Sequence, residues 1–423
     1  MTKTVEVLDA LMGSGKTHSI INYMSLHQDK PWLYISPMLE EVDSRVPNQA
    51  QSLGFDLYVP QEDDLHTKSE NCLKALKKGL NICCTHSLMY KFTKEHLKAI
   101  KEEGYNVVSD EELNLINGYN TKKEDIEFLM SNNIISVDDK TGAVSFLDED
   151  MSTEARYGDI KSKADLGMLY AARRSTKFMV VQLSPKIIDC AERFILLTYN
   201  YKDSLMETFL SMHNYQYKKF DEVTLRKTNE EIKKDLLERI EFVETPSVRK
   251  IQTKFTLSKS WWVSATKEER GAVSKAIRSC LTNTKIDKVD MFYTAPKDYV
   301  FTSKGFETKF IGKEPIIVKD DKDEDIVLEK TRGFLACNIR STNMYKEKKL
   351  AVHAYNLFPN QSVKAFIQGQ GYVVNDDVYA LNMLLQWLFR GCIRDSSDEK
   401  MKVAILSKRM NTLFKCWLTD VTK

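Results

Sequence analysis

The glycine-rich stretch Ala10-Leu-Met-Gly-Ser-Gly-Lys-Thr17 constrains the fold of this chain more than any other feature. It ends in Gly-Lys-Thr as a phosphate-binding loop does, with Ala10 in the place of the usual first glycine. A strand pattern, 5–9, precedes it, and a helical spacing of apolar residues follows it. Such a turn directs backbone N–H groups and the positive end of the helix dipole toward one point. The stretch therefore predicts a triphosphate site in a parallel α/β sheet.

The positions of this loop have different expected roles. We expect Lys16 to reach the β- and γ-phosphates and the Thr17 hydroxyl to bind Mg²⁺. The rest of the predicted nucleotide-binding set in the loop is Ala10, Gly13, Ser14 and Gly15. A turn that binds no ligand is the alternative, which the agreement of the flanking strand and helix patterns disfavours.

Length and charge bound the remaining possibilities. A chain of 423 residues suggests two or three domains. Net charge is only +2, so a nucleic-acid partner requires a local basic surface. No apolar run reaches the ~18 residues that a membrane span needs, and the loop begins too early to leave room for a signal peptide. We therefore expect no membrane association and a cytoplasmic protein, in the host cytoplasm if a phage encodes it.

Further apolar segments of strand length end in polar residues, as do the carboxyl ends of parallel strands that hold ligands. These endings are Ser36-Pro37, Thr85-His86 and Asp110-Glu111, and two more strand patterns occupy 178–183 and 194–199. An NTPase needs Asp110 to hold Mg²⁺ and Glu111 to orient and deprotonate the attacking water. For Thr85, the residues alone leave open a contact with a nucleic-acid phosphate or the plain end of a buried strand.

The order of these patterns predicts two α/β domains. The first covers 1–220 and carries an insertion at about 114–177, where turn-rich sequence interrupts the strands. A charged helical linker or subdomain covers 221–285 and contains Trp261-Trp262. We expect one of these tryptophans in a core and the other half exposed, rather than both stacking on bases. The second domain covers 286–423.

A helical pattern near the C-terminus brings Gln386, Arg390 and Arg394 to one face, because residues four apart share a side of a helix. Two arginines and a glutamine there form an arginine-finger arrangement for a γ-phosphate held by another domain. An ion-paired surface helix is the alternative. The phosphate loop and the Asp110-Glu111 pair in the same chain favour the first interpretation.

These motifs together resemble superfamily 2 helicases, and within that group the phage-encoded DNA helicases. The resemblance runs from residue 5 to about 417. Motif I corresponds to 10–17, motif Ia to 36–37 and the strand end that follows it to 85–86. Motifs II, III, V and VI correspond to 110–113, 197–199, 338–343 and 386–394. Motif II is Asp-Glu-Glu-Leu, and in motif VI Gln386 and Arg394 are eight positions apart where the family usually has seven. Either Arg390 or Arg394 can therefore be the finger, and we favour Arg394 with Arg390 supporting it.

The resemblance implies an ATP-dependent DNA helicase or translocase with two RecA-like domains. It implies ATP and Mg²⁺ between the domains, with Gln386 at the nucleotide and Lys16, Glu111 and the two arginines in catalysis. The implied nucleic-acid contacts are Ser36, Pro37, Thr85, His86 and Thr342. DNA is favoured over RNA, and replication or recombination proteins are the expected partners. Two alternatives remain, a terminase-like packaging ATPase and a nucleic-acid adaptor regulated by ATP without unwinding.

Overall fold

The structure is a computed structural model with two compact units. It describes residues 3–110, 116–119, 122–148, 151–152, 155–171, 178–181, 184–300, 311–319, 325–337, 344–394 and 398–420. The first unit comprises Met1–Lys227 and Pro359–Asn375, and the second comprises Thr228–Phe358 and Asp376–Lys423. The chain therefore passes from one unit to the other three times.

Strands are distributed over both units. They are β1 (Thr4–Asp9), β2 (Trp32–Ser36), β3 (Ile82–Thr85), β4 (Asn106–Asp110), β5 (Ile116–Gly118), β6 (Ile135–Val137), β7 (Val144–Phe146), β8 (Leu169–Ala171), β9 (Phe178–Val181), β10 (Phe194–Thr198), β11 (Gln216–Lys219), β12 (Ile240–Phe242), β13 (Met291–Thr294), β14 (Lys313–Lys319), β15 (Asp325–Thr331), β16 (Leu350–His353) and β17 (Met401–Ile405).

Helices alternate with the strands of the parallel sheets. They are α1 (Lys16–Leu26), α2 (Val46–Ser52), α3 (Lys68–Leu76), α4 (His86–Met89), α5 (Lys94–Glu102), α6 (Lys123–Ser131), α7 (Gly158–Asp165), α8 (Pro185–Cys190), α9 (Leu205–Met212), α10 (Asn229–Arg239), α11 (Pro246–Lys254), α12 (Lys259–Ser264), α13 (Lys267–Thr284), α14 (Lys297–Val300), α15 (Gln361–Gly369), α16 (Asp376–Leu388) and α17 (Lys408–Thr419). A π-helical turn covers Glu41–Arg45, and 3₁₀ turns cover Lys288–Asp290 and Cys392–Arg394.

The first unit is built on a parallel sheet in the order β11-β1-β10-β4-β2-β3. Its inner strands β2, β4 and β10 are buried along their whole length, as expected for strands covered on both faces. The edge strand β11 is exposed throughout. Strand β10 lies between β1 and β4, so the strand before the phosphate loop is one strand away from the strand that ends in Asp110.

The second unit contains a smaller parallel sheet in the order β12-β17-β16-β13. Its core on one face includes Trp262 and residues from α13, β13 and β16. Together with the first sheet, it confirms the predicted fold class, an α/β protein with two parallel-sheet units of the RecA-like type. Residues 228–285 contribute β12 to this sheet and thus belong to the second unit. The sequence had instead predicted a separate helical segment over 221–285.

The predicted insertion in the first unit has its own antiparallel strands and core. Strands β5, β9 and β8 form a three-stranded sheet, and β6 and β7 form a hairpin. A local core includes Ile126, Leu129, Phe146 and Ile160. Because β9 pairs with β5 and β8, the segment 178–181 belongs to this insertion. The sequence analysis had read it as the resumption of the main sheet.

A short segment from the C-terminal half, 359–375, packs in the first unit. The apolar face of α15 buries Val363, Phe366 and Ile367 in the core of the main sheet. Gln370 Nε2 donates to the backbone oxygen of Thr141 at 3.0 Å. This differs from the predicted second domain, 286–423, because apolar periodicity marks a buried face without identifying the surface that covers it.

Candidate nucleotide site

The phosphate loop connects β1 to α1 through two glycines in the left-handed region, Gly13 with φ 84° and Gly15 with φ 90°. A side chain at Gly15 would also meet Arg226, since an ideal Cβ there lies 3.1 Å from Arg226 Cγ. Backbone conformation and space therefore both favour glycine at this position. The loop can thus bring its backbone close to a ligand.

Helix α1 begins without a side-chain cap, because its N-cap residue is Gly15. Its first turn also contains no acidic residue. By contrast, Thr67 and Thr228 cap α3 and α10 with their hydroxyls. The first N–H groups of a helix have no partner within the helix, and an anion at this end satisfies them. The start of α1 therefore suits a phosphate group.

Lys16 is held against the loop that precedes it. Its Nζ donates to the backbone oxygen of Ala10 and, at 3.2 Å, to that of Leu11. The ammonium group therefore remains beside the uncapped helix start, where it adds positive charge for phosphate oxygens. Its predicted contact with the β- and γ-phosphates stays a prediction.

Thr17 and Asp110 are 93 residues apart in sequence but meet in the structure. Thr17 Oγ1 donates to Asp110 Oδ2 at 3.2 Å, and the Tyr34 hydroxyl donates to the same oxygen. Asp110 is 3% exposed. Burial raises the pKa of Tyr34 well above its usual value, and Asp110 raises it further, so the phenol stays a neutral donor. A hydroxyl and a carboxylate in contact are oxygen ligands that suit Mg²⁺.

Asp9 is a site residue that the sequence analysis missed. Its carboxylate accepts the backbone N–H groups of Asn200 at 2.7 Å and Tyr201 at 2.9 Å. Burial raises the pKa of Asp9, while those two bonds and the Lys16 charge lower it. Asp9 thereby ties the turn after β10 to the loop. An acidic residue at the end of an apolar strand, directly before the motif, was the signal available.

The segment 224–227, which is distant in sequence from the phosphate loop, covers the loop in the structure. The Arg226 backbone N–H donates to the Ser14 oxygen at 3.0 Å, and Ser19 Oγ donates to the Thr224 oxygen at 2.8 Å. Ser14 is fully buried, and its Oγ has no hydrogen-bond partner in the part of the chain that the structure describes. Sequence reasoning could not find this cover, because it comes about 200 residues after the motif.

The predicted nucleic-acid residues lie together, but their hydroxyls have local partners. Ser36 and Thr85 are opposite each other at the carboxyl ends of β2 and β3. Ser36 is buried and donates to Glu41 Oε2 at 3.1 Å, while Thr85 caps α4 by accepting the Leu88 N–H at 3.1 Å. Pro37 is half-buried and His86 is buried. Their contact with nucleic acid stays a prediction.

The predicted arginine helix ends earlier than expected. Helix α16 stops at Leu388, and Arg394 lies in the following 3₁₀ turn. Gly391, three residues after this end, has no room for a side chain, because a Cβ there would come within 2.7 Å of Met401 Sδ. The expectation that Gln386, Arg390 and Arg394 share one helical face is therefore wrong.

The three side chains of this region differ in exposure. Gln386 and Arg394 are half-buried. Arg390 is only 6% exposed, and among the described residues its Nε has no hydrogen-bond partner. A buried guanidinium with an unmet donor is suited to an anionic ligand. The roles of Arg390 and Arg394 toward a γ-phosphate stay predictions.

Some predicted positions lie outside the described residues. These are Glu111 and Thr342, together with the motif V resemblance at 338–343. Their roles remain expectations. In the part of the chain that the structure covers, no helix is long and apolar enough to cross a membrane.

The loop, the uncapped helix and the oxygen pair fit a nucleotide with its metal ion. Positive-φ glycines allow close backbone approach, and Lys16 supplies positive charge. The buried and unmet Ser14 hydroxyl lies in the same loop. The donor set at Thr17 and Asp110 consists of hard oxygens, as Mg²⁺ requires. The residues present therefore suit Mg²⁺-ATP.

Comparisons with known proteins relate the chain to a prophage protein. A family model described as the YonV C-terminal Rossmann-like domain matches residues 233–418, and one described as the YonV middle domain matches 116–179. The SPbeta prophage-derived uncharacterized protein YonV of Bacillus subtilis (strain 168) is 25% identical over 437 residues, covering 98% of this chain and 99% of that protein. The middle-domain match coincides with the insertion.

Two solved structures show weaker likeness. One is described as the structure of S. tokodaii Xpd4, with a TM-score of 0.41 and 13% identity over 98% of this chain and 94% of that one. The other is described as a hypothetical ATP-dependent RNA helicase from Sulfolobus tokodaii, with a TM-score of 0.26 and 10% identity over 99% of this chain and 91% of that one.

Proposed function

We propose that this chain is an ATP-driven motor that moves along or unwinds DNA. The observation that carries the proposal is the contact between Thr17 and Asp110 at 3.2 Å beside an uncapped, glycine-started helix. That geometry supplies phosphate binding and metal binding at one place. We propose that the γ-phosphate receives its cation from the buried Arg390, whose Nε has no partner among the described residues.

Different residues of the chain have different roles in ATP hydrolysis. Backbone N–H groups of the loop and Lys16 bind the phosphates, and Thr17 and Asp110 hold Mg²⁺, which when bound neutralises charge on the phosphate oxygens. Tyr34 orients Asp110 through its hydroxyl. Glu111 orients the attacking water and accepts its proton, and Arg390 stabilises charge on the γ-phosphate, with Arg394 and Gln386 beside it.

Movement along a nucleic acid requires that ATP hydrolysis change how tightly the protein binds the nucleic acid. We propose one grip in the first unit at Ser36, Pro37, Thr85 and His86 and another near Thr342 in the second. Unequal affinities of the two grips through the ATP cycle give direction. The prophage-derived relative supports a phage-encoded protein. We propose that it acts in the host cytoplasm with replication or recombination proteins.

The test is whether nucleic acid stimulates ATP hydrolysis, measured as phosphate release with and without single-stranded DNA or RNA. We expect stimulation in the parent protein and its loss in Lys16→Ala. Lys98→Ala is the matched control, because Lys98 is an exposed lysine of the same unit paired with Glu102. Equal hydrolysis with and without nucleic acid would exclude a motor.

Further assays separate the alternatives. Strand displacement on DNA and RNA duplexes with 3′ or 5′ tails identifies the track and the polarity. Tight ATP binding without turnover, with function unchanged in Glu111→Gln, identifies a regulatory adaptor instead. Metal-dependent cutting of plasmid DNA identifies a packaging ATPase.

A further inference from the structure

The second unit carries a basic segment that the nucleotide site does not use. Residues 245–267 contain five lysines or arginines and no aspartate or glutamate. The five are Arg249, Lys250, Lys254, Lys259 and Lys267. Because the whole chain has a net charge of only +2, this run is a local concentration of positive charge. Such a concentration is the electrostatic signature of a surface that binds a polyanion.

This segment lies at the carboxyl ends of the strands in the second sheet. Gln252 Nε2 in α11 donates to the oxygen of Ile405, the last residue of β17, at 2.8 Å. The Asn356 N–H, three residues after β16, donates to the Leu257 oxygen at 2.9 Å. Ligands of parallel α/β sheets bind at this edge. The basic segment is therefore placed where this fold receives ligands.

A cavity opens between this segment and the start of α17. Its volume is about 560 Å³, within the range of ligand pockets. Its walls include Lys254, Phe255, Thr256, Lys408 and Leu413, together with Asp377, which pairs with Arg409 at 2.7 Å. A phenyl ring with two lysines beside it suits a base and its phosphate.

Two aromatic rings stand next to the cavity. Phe255 and Trp261 are both half-buried, with ring centroids 5.0 Å apart at 34°. Trp262 is fully buried and meets Trp261 edge-on at 5.2 Å. This agrees with the expectation that one tryptophan is in the core and the other half exposed. Phe255 lines the cavity, Trp261 packs against it, and both side chains are partly exposed.

The backbone holds these rings in a fixed arrangement. Leu257, between them, has a φ of 54°, which is costly for a bulky residue. Its burial and its bond from Asn356 keep it there. Ser258 caps α12 by accepting the Trp261 N–H at 3.2 Å. A rigid platform loses little entropy when it stacks on a ligand.

Three exposed lysines in or near the cavity have no acidic partner among the described residues. Lys254, Lys259 and Lys408 are exposed, and no described carboxylate lies within ion-pair distance of them. Elsewhere in the unit, Lys400 pairs with Glu241 at 3.4 Å and Lys415 pairs with a glutamate. Unpaired lysines can exchange bound counterions for phosphates.

We propose that Lys254, Phe255, Lys259, Trp261 and Lys408 form a binding site for single-stranded nucleic acid. The two rings stack on bases, and the three lysines contact the phosphates. The inference rests on the proposed function, since it names where the second unit holds the track. It adds a site beyond Ser36, Thr85 and Thr342, and it explains how a nearly neutral chain binds a polyanion.

The test is fluorescence anisotropy of the full chain with labelled oligo(dT) or oligo(U) over a range of salt concentrations. The double variant Lys254→Ala/Lys408→Ala should weaken binding and reduce the slope of log affinity against log salt by about 1.4, since each phosphate contact on a single strand contributes about 0.7. Trp261→Ala should weaken binding about 5- to 100-fold, and Trp261→Phe should restore most of it.

Lys400→Ala is the matched control, because Lys400 precedes β17 and so lies at the opposite edge of the sheet from Lys408. It should leave affinity and salt slope unchanged. Thermal unfolding of every variant confirms that it is folded. Comparison of oligo(dT) with oligo(U) identifies the preferred sugar.

The outcomes separate this inference from the proposed function. If the parent binds oligonucleotides and shows stimulated ATPase, yet the double variant and Trp261→Ala bind as tightly with the same slope, the site is refuted and the motor stands. If duplex DNA binds as tightly as single strands and loses the same affinity in the variants, single-strand recognition is refuted. If the parent protein binds no oligonucleotide, both the proposed motor function and the proposed single-strand site are refuted.

Discussion

Replacing Arg390 with methionine should stabilise the second unit while removing nucleic-acid-stimulated ATP hydrolysis. Arg390 is 6% exposed, and in the described chain its Nε has no hydrogen-bond partner. Arg239 of the same unit is equally buried, but it donates to the Asp235 carboxylate at 2.8 Å and to the oxygens of Glu399 and Cys392 at 3.1 and 2.8 Å. The same substitution therefore removes an unmet donor at one position and a bonded one at the other.

The two variants should differ in the sign of their effect on stability. An unsatisfied buried donor costs about 1–3 kcal/mol, a cost that methionine does not carry. We expect Arg390→Met to gain about 1–2 kcal/mol, which raises the melting temperature of a unit of this size by about 2–8 °C. Arg239→Met breaks a buried, bonded charge and should lose about 3–5 kcal/mol. Loss of an arginine finger costs about 10³-fold or more in turnover.

Calorimetry without nucleotide, paired with phosphate release in the presence of single-stranded DNA, measures both effects. Arg390→Met should melt later than the parent and hydrolyse no ATP above background. If it melts earlier, as Arg239→Met does, then Arg390 has a structural partner and the reasoning from its unmet Nε is wrong. A stabilised variant with parental turnover would remove Arg390 from the ATP site.

Three further predictions concern the first unit. Tyr34→Phe removes a donor to Asp110, so the Mg²⁺ concentration for half-maximal ATPase should rise about 10-fold or more in a metal titration; an unchanged titration would exclude a positioning role. Burial lowers the pKa of His213 to about 4, and its ring bonds Tyr170 at 2.8 Å. The ring is neutral when folded and takes up a proton when unfolded, so stability should fall by up to about 3 kcal/mol as pH drops from about 6.5 to about 4. His213→Gln should flatten that part of the curve of urea midpoint against pH, and an unchanged curve would contradict the assignment. Phe366→Ala should destabilise the first unit by about 3–5 kcal/mol in urea unfolding, although Phe366 comes late in the sequence; a loss below about 1 kcal/mol would contradict the packing of α15 there.

The local parts of this fold were predictable because their signals lie within short stretches. The strand before Ala10, the helix after Gly15 and the strand ending at Asp110 all follow from runs of apolar residues bounded by glycine or acidic residues. The meeting of Thr17 with Asp110 was also predictable, since both follow strands of one parallel sheet. Motif and topology agree here because both place ligands at the same edge.

Other features depend on contacts that a linear pattern does not contain. Helix α16 ends at Leu388, and the close approach of Gly391 to Met401 that follows is a property of the folded sheet. Segment 178–181 has a normal strand pattern, but only pairing decides which sheet receives it. The covering of the loop by Arg226 has no local signal at all. Periodicity identifies buried faces, and tertiary contacts assign their partners.

Two of the buried polar atoms that have no partner among the described residues lie in motifs predicted to bind a nucleotide, whereas two other arginines are bonded. Arg193 is bonded to Glu6 at 2.8 Å, and Arg239 is bonded on all sides. The Ser14 hydroxyl and the Arg390 Nε, by contrast, have no partner in the described chain. Unmet buried groups cost stability, and these two fall in the two motifs assigned to a nucleotide, one in each unit. A phosphate oxygen at the loop would satisfy the Ser14 hydroxyl, so ATP binding should stabilise the first unit by an amount that grows with the logarithm of its concentration over its dissociation constant.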